Sequence, residues 1–284
     1  MMSKKDEKMK KKICKKSKLK ILKINLTFIL LIGVLYIVIY FISPYNEKRK
    51  IQGVINNVQI DKKLLTRVEN DVNNTDVDNT DVDNTESTRR MLEVRELNKR
   101  NEDIIGWIEI EGTNINYPVM QTIDNEYYMT HNFEKEYSKL GSIFLDKDYD
   151  WKQPSTNLLI YGHNNKNGSM FQNLMNYKME SYYKEHPNIK FTTLNEEAEY
   201  EIIAAFYSKV YKKEENDVFR YYYFINANSE AEFNYYIDEC KKKSIYDTGK
   251  TARYGEQILT LSTCSYHTKD GRFVIVASKC NKNK

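Results

Sequence analysis

Cys264 ends the apolar run ILTLST and is followed by the polar stretch SYHTKDGR. A cysteine at such a strand-to-loop junction is presented to solvent by a rigid element, the setting expected of a thiolate nucleophile. The other three cysteines read differently. Cys14 sits in a lysine-rich tail, and Cys280 in the polar end SKCNKNK. Cys240 falls on an apolar stripe with helical spacing, where packing is the ordinary role. A Cys240–Cys280 disulfide stays open at this level. A cysteine nucleophile needs a proton-transfer partner, and four histidines are available. His131 (MTHNF) and His186 (KEHPN) lie in polar loop contexts. His163 follows the apolar run LLIYG and precedes a loop rich in Asn and Gly, the same strand-end presentation as Cys264. His267 lies only three residues beyond Cys264, so spacing leaves both His163 and His267 as partners. Arg272 opens the next apolar run eight positions after Cys264. If the two runs pair through the intervening loop, its guanidinium returns beside the thiol and can hold an oxyanion or a carboxylate.

Elements that could carry these residues are legible as runs rich in Ile, Val, Tyr and Phe separated by turn residues. Strands are expected at Trp107–Glu111, Ile115–Met120, Ser142–Leu145, Asn157–Tyr161, Ile189–Thr193, Glu199–Ser208, Gln257–Thr263 and Arg272–Ser278. A short helical entry is expected around Met91–Leu97. Two further helical intervals are expected at Met170–Tyr177 and Ser229–Lys243, the second with Ala231, Phe233, Tyr236, Ile237 and Cys240 at helical spacing. Eight strands with few helices point to a mainly β domain, a closed or nearly closed barrel, over residues 89–284.

The rest of the chain has other work. Its 284 residues carry 44 Lys+Arg against 40 Asp+Glu, formally +4, but residues 1–23 hold eleven lysines beside Asp6 and Glu7. That tail is +9 and the remainder is −5, so the overall charge gives no support for nucleic-acid binding by the folded domain. Residues 24–42 are uncharged and almost wholly apolar. A helix of that length spans roughly 28 Å, close to the thickness of a bilayer core. With the lysines held inside by the positive-inside rule, it reads as a single-pass signal anchor, N-terminus cytoplasmic and catalytic domain extracellular. The absence of a small-residue cleavage site after the run argues against a removable signal peptide. Residues 43–88 read as an extracellular stalk containing the repeated pentad NTDVD at Asn74–Asp78 and Asn79–Asp83. A calcium loop read from Asp76 would have Asp81 where glycine is needed and Ser87 in place of the final glutamate, so a hydrated acidic spacer is preferred.

The block TLSTC (Thr260 to Cys264), the block YGHN (Tyr161 to Asn164) continuing to Gly168-Ser169-Met170-Phe171, and Gly271-Arg272 together resemble class B sortases. DIIGWIEIEGTNINYPVMQ, ending at Gln121, and GSIFLD from Gly141 are also similar to blocks of that family, so the resemblance covers about residues 90–280. It implies an eight-stranded sortase-type β-barrel with an N-terminal helix and a helix before the cysteine strand. It also implies a membrane-anchored cysteine transpeptidase of Gram-positive cells that needs no metal or organic cofactor. Cys264 would attack the bond after Thr in a C-terminal sorting signal, giving a thioacyl-enzyme. His163 would serve as acid and then base, titrating with Cys264 as a coupled pair. Arg272 would hold the oxyanion or orient the peptide. The partners implied are the sorting-signal peptide of a surface protein and an amine of a peptidoglycan precursor. A pilin lysine as acceptor, a membrane-tethered peptidase hydrolysing the same bond, and a non-enzymatic receptor on a stalk remain alternatives.

Overall fold

A computed structural model describes residue 23, residues 25–37 and residues 79–280. The lysine tail up to residue 22, the stalk from 43 to 78 with its first NTDVD pentad, and residues 281–284 lie outside the described residues. Of the expected membrane span, residues 25–37 are described. They are helical, and their large apolar side chains are exposed. Among the described residues no helix is long and apolar enough to cross a membrane. The 25–37 helix and the 79–280 region belong to separate units of the chain.

All eight expected strands form: β1 (Ile104–Glu109), β2 (Asn116–Met120), β3 (Ile143–Leu145), β4 (Asn157–Gly162), β5 (Asn188–Thr193), β6 (Glu197–Lys209), β7 (Ile258–Cys264) and β8 (Gly271–Lys279). They close into a barrel in the order β1-β2-β3-β4-β7-β8-β6-β5. Two neighbouring pairs, β2–β3 and β4–β7, run parallel, and the others are antiparallel. The first strand stops at Glu109, short of the expected Glu111, because Ile110 and Thr113 turn the chain back toward β2 through Ile110 N–H to Ile115 O and Thr113 N–H to Ile110 O. Beyond its pairing with β5, β6 is covered at Ile203 and Ala205 by residues 244–248. Ile245 N–H donates to Ala205 O (2.9 Å), Ala205 N–H to Ser244 Oγ (3.1 Å) and Thr248 Oγ1 to Ile203 O (2.9 Å).

Among the described residues three α-helices flank the barrel: α1 (Asn79–Arg100), α2 (Glu180–Glu185) and α3 (Glu230–Lys243). The first is longer than the expected entry and takes in the second acidic pentad. Val94 and Leu97, three apart on one face, are buried, while Arg90 lies 5.1 Å from the Trp107 ring and bonds to Glu93 and Glu109. The second was not expected, because six residues rich in Tyr carry no apolar period. Residues 170–177 are helical as anticipated but tighten into a 3-10 helix, Phe171–Lys178.

The third helix is built from standard signals. Ser229 caps its start by accepting from Glu232 N–H at 3.2 Å, acidic residues fill its first turn, and three lysines fill its last. Its buried face is Phe233, Tyr236, Ile237 and Cys240. Those side chains form one apolar cluster with Leu159 of β4, Phe206 of β6, Ile258 of β7 and Val274 of β8. The helix therefore braces the strands that lead to Cys264, His163 and Arg272. Cys240 and Cys280 are free thiols, which closes the question of a bridge between them. Burial pushes the Cys240 thiol far above its ordinary range, as an inert core cysteine requires.

Candidate active site

Alternation along β7 puts Thr260, Ser262 and Cys264 on one face. The first two hydroxyls are tied into the core: Thr260 Oγ1 pairs with the Tyr236 hydroxyl (2.9 Å) and donates to Asn157 Oδ1 (2.9 Å), and Ser262 Oγ pairs with the Tyr221 hydroxyl (2.7 Å). Each buried polar atom thus has a partner, which fixes the strand in depth and rotation. Two residues on, at the strand end, Cys264 emerges half-buried into a cavity of about 230 Å³.

Strand pairing supplies its neighbours. Cys264 lies opposite Arg272 at the last position of the antiparallel β7–β8 ladder, so the return across the loop expected from the sequence takes place. The parallel β4–β7 ladder ends with Gly162 beside Thr263, where Thr263 Oγ1 donates to Gly162 O at 2.7 Å. His163, the next residue, therefore leaves β4 beside Cys264, and Asn164 Nδ2 donates to Cys264 O at 2.9 Å. His163 Nε2 is 2.8 Å from Met129 O. A carbonyl only accepts, so Nε2 carries the proton in this arrangement and Nδ1 is the nitrogen that can exchange one. Arg272 donates from Nη1 to Gly271 O (3.0 Å) and Asp270 O (3.3 Å), which sets its guanidinium at the head of the loop.

Cys264, His163 and Arg272 all line the cavity, together with Asn125, Met129, Phe144, Tyr161, Tyr221 and Tyr222 among others. His267 does not line it. That residue is exposed on the β7–β8 loop, with Nδ1 2.9 Å from Ser265 Oγ and its ring 4.8 Å from that of Tyr207. His131 stacks on Tyr127 at 4.0 Å, and His186 packs against Tyr182 at the end of α2, at 4.5 Å. The geometry therefore separates the two histidines that spacing left open. Burial first, then Asp146, holds the Tyr161 phenol far above its ordinary value, and burial does the same for Tyr221.

A thiol, an imidazole and a guanidinium converging on one cleft is the equipment of thiol-based acyl transfer. Residues 108–280 match the Sortase domain family. The chain belongs to the sortase family. Its sequence is 34% identical to sortase B of Listeria monocytogenes over 185 residues, 64% of this chain and 72% of that one. To sortase B of Staphylococcus aureus it is 32% identical over 187 residues, 65% and 73% of the two chains. Its fold matches the solved structure of Clostridium perfringens sortase B at 30% identity and a TM-score of 0.59, over 66% of this chain and 99% of that one. As a sortase it is a cysteine transpeptidase.

Several wall residues of this sortase escaped the sequence reading. Asn125 and Met129 come from the β2–β3 connection, Phe144 from β3, Val210 from the end of β6, and Tyr221 and Tyr222 from the aromatic run before α3. The only local signal was the run FRYYYF itself, in which buried Tyr221 and half-exposed Tyr222 look alike.

Proposed function

We propose that this protein is a class B sortase that cleaves the C-terminal sorting signal of surface proteins after Thr and joins the upstream fragment to an amine of a peptidoglycan precursor. The observation that carries this reading is the ladder-end arrangement: Arg272 opposite Cys264 and His163 beside it, in one cavity. The Cys264 thiolate attacks the Thr carbonyl carbon, forming a C–S bond. His163, protonated on Nδ1, gives that proton to the departing amine as the C–N bond breaks. The guanidinium of Arg272 faces the carbonyl oxygen as charge develops on it. In the second half an incoming amine attacks the thioester, loses its proton to His163, and expels Cys264 as thiolate. One amide is exchanged for another, so the sequence balances without an oxidant, a reductant or a cofactor.

The same reading places residues 24–42 in the membrane as a signal anchor, the lysine tail inside and the catalytic domain outside. The lysine flank and the exposed apolar side chains of residues 25–37 support it. Peptidoglycan is the acceptor preferred over a pilin lysine, from the class B likeness.

The experiment is incubation of the full chain with candidate sorting peptides and a short glycine peptide as amine, followed by mass analysis. Ligated product and a thioacyl adduct on Cys264 are expected. Exclusive hydrolysis at saturating amine overturns the transferase reading, and product formation by Cys264→Ala overturns the nucleophile.

A further inference from the structure

Asp146, just past the end of β3, is a carboxylate only 4% exposed that takes no part in the chemistry above. Its oxygens meet three donors. Oδ1 accepts from Asp148 N–H (2.9 Å), while Oδ2 accepts from Asn125 Nδ2 (3.0 Å) and from the Tyr161 hydroxyl (3.0 Å). Asn125 and Tyr161 both line the catalytic cavity, and they arrive from different segments, the β2–β3 connection and β4. The carboxylate is itself held in place: Asp146 N–H donates to Leu159 O (2.8 Å), and Gln121 Nε2 donates to Asp146 O (3.0 Å).

Because an ionised carboxylate can only accept, it orients both wall residues. The Asn125 amide is fixed with its nitrogen on Asp146 and its oxygen receiving Lys147 N–H at 2.8 Å. The Tyr161 proton is committed to Asp146, so its phenol oxygen offers the cavity lone pairs alone, and its ring packs 5.4 Å from Phe144. We infer that Asp146 is a positioning residue for peptide binding, a carboxylate that sets the orientation of two cavity-wall side chains from two segments. Both wall residues bond Oδ2, so an amide at this position either turns its NH2 toward the Asn125 nitrogen and the Tyr161 hydroxyl, driving a wall residue away, or keeps its oxygen there and turns the NH2 against Asp148 N–H, losing the bond that anchors the side chain. The inference rests on the reading of the cavity as the sorting-signal site.

The test is steady-state transpeptidation by the full chain bearing Asp146→Asn, Tyr161→Phe, or both, with thermal melts of each. Asp146→Asn is expected to raise the peptide KM roughly tenfold, the loss of one charge-assisted hydrogen bond, with kcat within about threefold. If the carboxylate acts through Tyr161, the double variant is little worse than Asp146→Asn alone. An unchanged KM in Asp146→Asn, a loss confined to kcat, or strictly additive effects overturns the inference. Where Asp146→Asn gives no cooperative melt, Tyr161→Phe decides: a raised KM at retained kcat supports it, and an unchanged KM overturns it. Wild-type protein that forms no ligated product overturns the cavity reading and this inference with it, an outcome distinct from active wild type with unaltered variants.

Discussion

The side-chain amide of Asn164 donates a 2.9 Å hydrogen bond to the carbonyl of Cys264, so the residue after the proposed acid–base ties its loop directly to the nucleophile's backbone. The chain separation is 100 residues, yet the bond adds a tether to the β4–β7 ladder just beyond its last paired position.

Asn164→Ala is expected to lower kcat/KM about fivefold with a melting shift of only a few degrees, as loss of one half-exposed hydrogen bond of about 1 kcal/mol implies. Steady-state assay and a thermal melt check it. A normal kcat/KM would show that the tether has no bearing on the alignment of His163 and Cys264.

His163→Ala is expected to lose at least roughly 10²-fold in kcat, the usual scale of general acid–base catalysis, while His267→Ala stays within about threefold. The expectation follows from His163 lining the cavity and His267 lying outside it. The reverse ranking would overturn the assignment.

Gly141 and Gly168 separate strain from contact. Both have positive φ, +61° and +82°. A Cβ at Gly141 would lie 2.7 Å from Met129 O and 2.9 Å from His163 Cδ2, whereas at Gly168 nothing lies within 4 Å. Each alanine variant should lose about 1–3 kcal/mol of stability from the left-handed backbone. Only Gly141→Ala should also lose kcat, because it pushes on His163 and on the carbonyl that holds Nε2. Equal kcat in the two variants would refute that distinction.

The buried tyrosines set the response to alkali. Burial raises Tyr149 to about 12 from its ordinary 10.0, and Tyr161, Tyr177, Tyr200 and Tyr221 are raised further. Above pH 10 the unfolded chain releases phenol protons that the folded chain keeps, so the unfolded state binds fewer and stability falls as pH rises. The stabilisation is whole below pH 10 and declines from there toward pH 12. Denaturant midpoints at pH 9, 10 and 11 should decrease in that order, with part of the phenolate absorbance appearing only on unfolding. Complete titration near pH 10 in the folded state would contradict this.

The strands were legible because each is a short, β-branched or aromatic run between turn residues, and Cys264, His163 and Arg272 could be singled out because all three lie at strand ends. Choosing between His163 and His267 was not possible locally. It depends on β4 pairing parallel to β7, a contact across 101 residues that nothing in either segment encodes. Asn125, Met129 and Tyr222 were missed for the same reason, since barrel closure alone brings them to the cavity. The start of α1 was misjudged because Asn, Thr and Asp are weak helix formers, and the acidic pentad was weighed by composition.

The covering of β6 by residues 244–248 bears on how an extended peptide can be recognised. Many peptide-binding domains add their ligand as one more strand at an open sheet edge, gaining affinity from main-chain hydrogen bonds regardless of sequence. Here the barrel is closed, and on its longest strand Ile203 and Ala205, just past the pairing with β5, are already occupied by the chain's own Ser244, Ile245 and Thr248. That route is shut at Ile203 and Ala205 of β6. Under the proposed function, discrimination between peptides then falls to side chains such as Asn125 and Tyr161, and the covered positions give neighbouring copies of the protein no template for strand-to-strand aggregation there.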